Sequence, residues 1–182
     1  MRALVTGAAG FIGSNLCDEL LNLGFEVHGI DNLQVGSEAN LRSSMTQAKF
    51  NFSRIDILNT QDLNAIEGKY DFIFHLAALA DIVPSIEQPT SYLSANVTGT
   101  INILELAKKL SIKKFVYAAS SSCYGIPTNI PTPETAKIST EYPYALSKYL
   151  GELAVMHWSR IYRIPAISLR LFNVDRKSTR LN

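Results

Sequence analysis

Thr6-Gly7-Ala8-Ala9-Gly10-Phe11-Ile12-Gly13-Ser14 is the stretch on which the fold turns. Arg2–Thr6, just before it, is short and apolar and reads as a buried strand. Behind it, Ile12, Leu16, Leu20 and Leu23 recur at helical spacing until Gly24 stops the run. The glycines therefore occupy a strand-to-helix turn. Gly7 permits the tight turn, Gly10 lets backbone approach a pyrophosphate, and Gly13 lets the helix pack close to the strand. The start of the helix offers free N–H groups and a partial positive charge to phosphates. A lone glycine pattern is weak evidence; here the context is right on both sides.

Outward from this turn, strand-like and helix-like runs alternate. Phe25–Ile30 reads as a second strand ended by Asp31, Phe50–Ile55 as a third closed by Asp56, and Asp71–His75 as a fourth. Lys113–Ala118 and Ala166–Leu171 read as the fifth and sixth. Helical spacing covers Gln61–Glu67, Thr90–Leu110 and Tyr142–Tyr162. Residues 34–48 are polar and ambiguous, and the proline-bearing segment 126–140 is a loop. Apolar strands alternating with helices imply an α/β fold, a doubly wound parallel sheet of the Rossmann type covered on both faces.

Asp31 follows the glycine turn at the expected spacing of about 20 residues. A carboxylate there accepts hydrogen bonds from adenine-ribose hydroxyls and repels a 2′-phosphate, so the cofactor is NAD in preference to NADP. The competing structural reading, a bare βα turn with Asp31 capping a loop, is disfavoured by the matching context. Asp56 suits the adenine edge, and it suits equally a solvated strand end. Leu76, Ala77 and Ala78 end the fourth strand, where small residues let a cofactor lie close to backbone. His75 reads as a satisfied core histidine. The candidate cofactor set is Gly7, Gly10, Phe11, Ile12, Gly13, Asp31, Asn32, Asp56, Ile57, Leu76, Ala77, Ala78, Asn96, Tyr144 and Lys148.

Tyr144 and Lys148 lie four apart on one helical face. A free tyrosine, with a pKa near 10, is a poor base at neutral pH. A neighbouring ammonium and a positive nicotinamide ring would favour the phenolate, making Tyr144 a candidate acid/base for a hydroxyl undergoing hydride transfer. Ser120-Ser121-Ser122 follows the fifth strand at the carboxyl edge, where ligands bind in such sheets. An aromatic core residue beside a solvated lysine is the plain alternative. The serine run and the dinucleotide fold around both residues weigh against it.

The bulk numbers exclude several other classes. The chain has 182 residues, 47% hydrophobic and 18% charged, with formal net charge +1. That fits one ordinary domain and gives no electrostatic case for nucleic acid or membrane. Two cysteines cannot build a disulfide framework: Cys17 reads as core and Cys123 as part of a serine-rich turn, and no metal site is expected. With no signal peptide or spanning segment in view, a cytoplasmic location is the expectation.

Together these residues resemble the extended short-chain dehydrogenase/reductase family, and within it the nucleotide-sugar 4-epimerases, over residues 1 to about 174. The carriers are the Gly7/Gly10/Gly13 loop, Asp31, Asp56, the His75–Ala78 strand end, Asn96-Val97-Thr98-Gly99-Thr100, the serines before Tyr124-Gly125, Tyr144 with Lys148, and Arg170-Leu171-Phe172-Asn173. The resemblance implies Ser120 as the catalytic hydroxyl beside Tyr144 and Lys148, Asn96 near the cofactor, and Ser122 and Asn173 as substrate contacts. It implies epimerisation at C4 by oxidation to a keto-sugar, rotation, and reduction from the other face, with Tyr144 as acid/base and a nucleotide-sugar, expected to be a UDP-sugar, as substrate. It also implies a homodimer through the helices beginning near Thr90 and Tyr142, although their apolar residues could equally face the sheet. Dehydratases of this family carry Asp-Glu after the catalytic hydroxyl residue, and decarboxylases a glutamate; here Ser121 and Ser122 stand there. Dehydratase, dehydrogenase and non-catalytic NAD-binding module remain the alternatives.

The resemblance stops at Val174. Family members continue into a substrate domain, whereas Asp175-Arg176-Lys177-Ser178-Thr179-Arg180-Leu181-Asn182 has no counterpart there. Those residues are also what a widely used sequencing adapter encodes. The expectation is a cofactor domain over 1–174, a non-native or disordered tail over 175–182, and a fragment inactive by itself.

Overall fold

In the computed structural model, which describes residues 1–127 and 129–174, the chain opens with β1 (Arg2–Thr6), α1 (Phe11–Asn22) and β2 (Glu26–Asp31). The ambiguous 34–48 stretch forms a 3-10 turn, Glu38–Leu41, and the short α2 (Arg42–Met45), anchored by fully buried Leu41. Then come β3 (Phe50–Arg54), α3 (Thr60–Asn64) and β4 (Phe72–His75). Asn59 starts α3 by accepting the N–H groups of Gln61 and Asp62. After α4 (Ile82–Glu87), the run expected as one helix is α5 (Pro89–Leu93), a π turn (Ser94–Thr98) and α6 (Gly99–Leu110). β5 (Lys114–Ser120), α7 (Pro143–Tyr162) and β6 (Ala166–Leu171) complete the described chain. The tail, 175–182, lies outside the described residues.

All strands are parallel, in the order β3-β2-β1-β4-β5-β6. β1 is buried on both faces. Ala3 and Val5 pack with Cys17, Leu20 and Leu21 of α1, while Leu4 packs with Ile103 and Leu104 of α6 and Val155 of α7. That double burial is why the strands read as continuous apolar runs. The two helices expected to face either the sheet or a partner do the first in part: Ile103, Leu104 and Val155 face the sheet, while Leu146, Leu153 and Met156 stay exposed. The strand order, which runs outward one way through β2 and β3, switches to the other side of β1 at β4, and this switch point opens a crevice at the carboxyl ends of β1 and β4.

His75 sits at that crevice as a core residue with no exposed surface. The Thr6 hydroxyl accepts the N–H groups of Leu76 and Ala77, so its proton goes to His75 Nδ1, 2.7 Å away. The Thr100 hydroxyl donates to the Asn96 carbonyl and so accepts from Nε2, 3.0 Å away. The ring is thus held neutral, in the Nε2–H tautomer. Burial, aided by the Lys148 charge, holds its pKa down at about 3. Burial and Arg2 hold His28, hydrogen-bonded to Tyr70 and Ser53, at about 4.

Histidines with lowered folded pKa values bind more protons unfolded, so stability is full above about pH 6.5 and falls as pH drops below it. Urea unfolding at pH 7.5 and pH 5 is expected to show a loss of about 2 kcal/mol per histidine. An unchanged midpoint would contradict the neutral, buried assignment.

Candidate active site

The glycine turn sets the shape of the crevice. Gly7 has φ +69°, and a Cβ there would meet the Ala77 nitrogen at 2.7 Å. A Cβ on Gly13 would overlap the Gly7 carbonyl oxygen, so α1 docks on its own entry turn as well as on the strand. A Cβ on Gly10 would meet only that same oxygen, at 3.2 Å. α1 starts at Gly10 without a side-chain cap and without an acid in its first turn. Its leading amides are therefore available to an anion.

Two clefts meet at Gly7, Gly10, Leu76 and Ala78. The first is lined by Asp31, Asn32, Asp56, Ile57 and Ala77. Asp31 ends β2, and its carboxylate accepts the N–H of Ala9 (3.0 Å) and of Leu33 (2.8 Å), which fixes it while leaving lone pairs for a ligand. Asp56 is braced rather than loose at its strand end: it accepts the Leu58 N–H (2.8 Å) and the Asn32 side-chain amide (3.0 Å).

The second cleft brings Phe11, Ile12 and Gly13 together with Ser120, Ser122, Tyr144, Lys148 and Asn173. Ser120 ends β5 and caps the 3-10 turn Ser121–Tyr124: its Oγ accepts the Ser122 N–H (3.2 Å) and lies 2.7 Å from Ser122 Oγ. Tyr144 and Lys148 project from the first turns of α7, and Pro143 at the helix start fits the missing N–H there. The Tyr144 ring stands edge-on to Tyr92 at 6.4 Å.

Asn96 lies behind the wall of the first cleft, next to Ala95 and bonded to Leu79, both of which line it. It has no exposed surface and lines neither cleft. Its amide grips the Leu79 N–H (2.8 Å) and C=O (2.9 Å) and donates to Ser147 Oγ (2.8 Å). It shapes the loop after β4. With the Tyr92 hydroxyl on the Ala80 carbonyl, this holds Asp81 at φ +87° beside the second cleft. Asp81 and Tyr92 carry no motif of their own, so their place was invisible in sequence. Gly151 was equally silent, yet a Cβ there would strike the Tyr117 hydroxyl and the Asn96 carbonyl.

A standing ammonium beside Tyr144 is the expectation from sequence. The Lys148 side chain is only 4% exposed, with its Nζ 4.4 Å from the centre of the Tyr117 ring, and burial pushes its pKa down to about 7. A ligand offering oxygen acceptors would restore the charge.

The chain belongs to the NAD-dependent epimerase/dehydratase family. The profile of the "NAD dependent epimerase/dehydratase family" matches residues 3–175. A UDP-glucose 4-epimerase of Mycolicibacterium smegmatis is 38% identical over 177 residues, covering 96% of this chain and 56% of that protein. A UDP-N-acetylglucosamine 4-epimerase of Methanobrevibacter ruminantium, solved with UDP-N-acetylmuramic acid, superimposes with TM-score 0.90 at 33% identity, over 96% of this chain and 55% of that one. A dTDP-glucose 4,6-dehydratase of Streptomyces venezuelae with NAD and TYD bound gives 0.89 at 29%, over 93% and 55%. The chain therefore spans about half the length of the proteins it matches.

A lysine whose folded pKa is lowered binds its proton more tightly when unfolded, so at neutral pH its burial costs stability. Lys148→Met is expected to stabilise the chain by about 4 kcal/mol at pH 7 in urea unfolding, the gain fading as pH approaches about 10.5. A destabilised variant would contradict this.

Proposed function

We propose that this chain supplies the NAD site and the acid–base residues of a nucleotide-sugar 4-epimerase acting on a UDP-sugar. The supporting observation is that Ser120, Tyr144 and Lys148 line one cleft with the uncapped start of α1, while the following positions, Ser121 and Ser122, bring no carboxyl group. Gly10 and the amides of residues 11–13 suit a pyrophosphate, Asp31 the adenine-ribose hydroxyls, and Asp56 with Ile57 the adenine. Lys148 would hold the nicotinamide ribose. Bound NAD supplies a hydride acceptor and donor.

Tyr144 takes the proton from the sugar hydroxyl and later returns it, working as general base and then as general acid. Ser120 donates to the sugar oxygen when it is a carbonyl and accepts from it when it is an alcohol, so one hydroxyl serves both halves of the cycle. Ser122 and Asn173 are the proposed further sugar contacts. We propose that residues 1–174 act as one NAD-binding unit.

A dehydratase is the second reading. Asp81 favours it, because it brings a carboxylate to the cleft that Ser121 and Ser122 do not.

The test is proton NMR of UDP-glucose with NAD and residues 1–174, alone and joined to the second half of the M. smegmatis relative. The C4 epimer is expected to appear only with the joined chain, without NADH accumulating, and Tyr144→Phe to slow it by about 10²–10⁴-fold. NADH release would mark a dehydrogenase, and a 4-keto-6-deoxy product the dehydratase. Undiminished turnover by Tyr144→Phe would remove the tyrosine from its role.

A further inference from the structure

Arg170, near the end of β6, lies outside both clefts, yet its guanidinium ties that strand to three segments that border the second one. Nε donates to both oxygens of Glu152 on α7 (3.2 and 3.0 Å), and Nη2 donates to Glu152 Oε1 (2.6 Å). The pair is largely shielded, with side-chain exposures of 23% and 11%, and Ser168 adds a third donor to the same carboxylate (3.0 Å). Nη1 points the other way, donating to the Tyr124 hydroxyl (2.7 Å) and the Glu134 carbonyl (3.4 Å). The guanidinium also lies over the Tyr124 ring, 5.0 Å from its centre. Only a planar fork satisfies a carboxylate on one edge and a phenol on the other.

Tyr124 closes the short turn that Ser120 caps. Glu134 belongs to the loop whose Pro127 and Thr132 line the cleft, and Leu171–Val174 continue from Arg170 into the opposite wall. We propose that Arg170 is a positioning residue: through Tyr124 it holds the Ser120–Tyr124 turn against α7, setting Ser120 in register with Tyr144 and Lys148. The purpose of that register rests on the epimerase reading above; the clamp itself does not.

Cys123 gives a readout inside the turn. It is 1% exposed, and Cys17, fully buried under α1, is an internal reference in the same chain. A thiol in the interior reacts with a small aromatic disulfide only when its surroundings open. Tyr124→Phe removes one hydroxyl, and Arg170→Lys keeps the positive charge near Cys123 while losing the fork. Neither variant removes the charge that acts on the thiol.

The experiment is the reaction of both thiols with such a reagent in the full 182-residue chain, resolved by peptide mass spectrometry. NAD titration of the same samples reads the cofactor site separately. Cys123 is expected to react about tenfold faster in each variant, the size set by losing a hydrogen bond to a charged group, with Cys17 unchanged. An unchanged Cys123 rate in Tyr124→Phe, or equal acceleration of both cysteines, would overturn the proposal, because Arg170 would then serve only global stability. Loss of NAD binding in the parent chain would count against the epimerase reading without touching the clamp.

Discussion

Between α1 and the turn that starts it there is room for a hydrogen atom and no more. A Cβ on Gly13 would overlap the Gly7 carbonyl oxygen, and one on Gly7 would press into the backbone of Ala77. This close approach seats the start of α1 over the end of β1 and brings the β4 strand end alongside it. Asp31 is fixed by the same turn, since the Ala9 N–H holds its carboxylate at 3.0 Å. The Thr6 hydroxyl, one residue earlier, organises Leu76, Ala77 and His75. A ligand bridging the two clefts would therefore meet backbone amides and small residues where a side chain would otherwise stand.

The α7 side of the two clefts is costlier to fold than the glycine-turn side. Lys148 is buried without a carboxylate partner among the described residues, and its pKa is pushed down to about 7. Nearby, by contrast, Glu152 and Arg170 form a well-satisfied pair on the same helix and strand. α7 thus carries a paired charge that braces the wall and an unpaired one that faces the cleft. Stability sacrificed at a position that lines a ligand cleft is the pattern expected of a working site.

Much of this was legible because the signals were local. The glycine turn, the apolar strands and the four-residue spacing of Tyr144 and Lys148 depend on residues close in sequence, and β1 and β6 appear with the bounds their periodicity suggests. What escaped was long-range. α4 has only six residues and exposes Ile82, Val83 and Ile86, so it offers little amphipathic pattern to read. Asn96, inside the π turn of the long helix, reaches across to Leu79 and Ser147, contacts 17 and 51 residues away in sequence. For the same reason the motif around Asn96 gives no hint that its amide braces the loop after β4. The roles of Asp81 and Arg170 likewise depend on partners from several elements.

We propose that the glycine turn and Asp31 form a dinucleotide site that discriminates by charge at the adenine ribose. Calorimetric titration of the chain with NAD and with NADP tests it most directly. NAD is expected to bind at least tenfold more tightly than NADP, and Asp31→Asn to narrow the gap by weakening NAD and relieving the repulsion of the 2′-phosphate. Equal affinity for the two, or a preference unmoved by Asp31→Asn, would contradict the account.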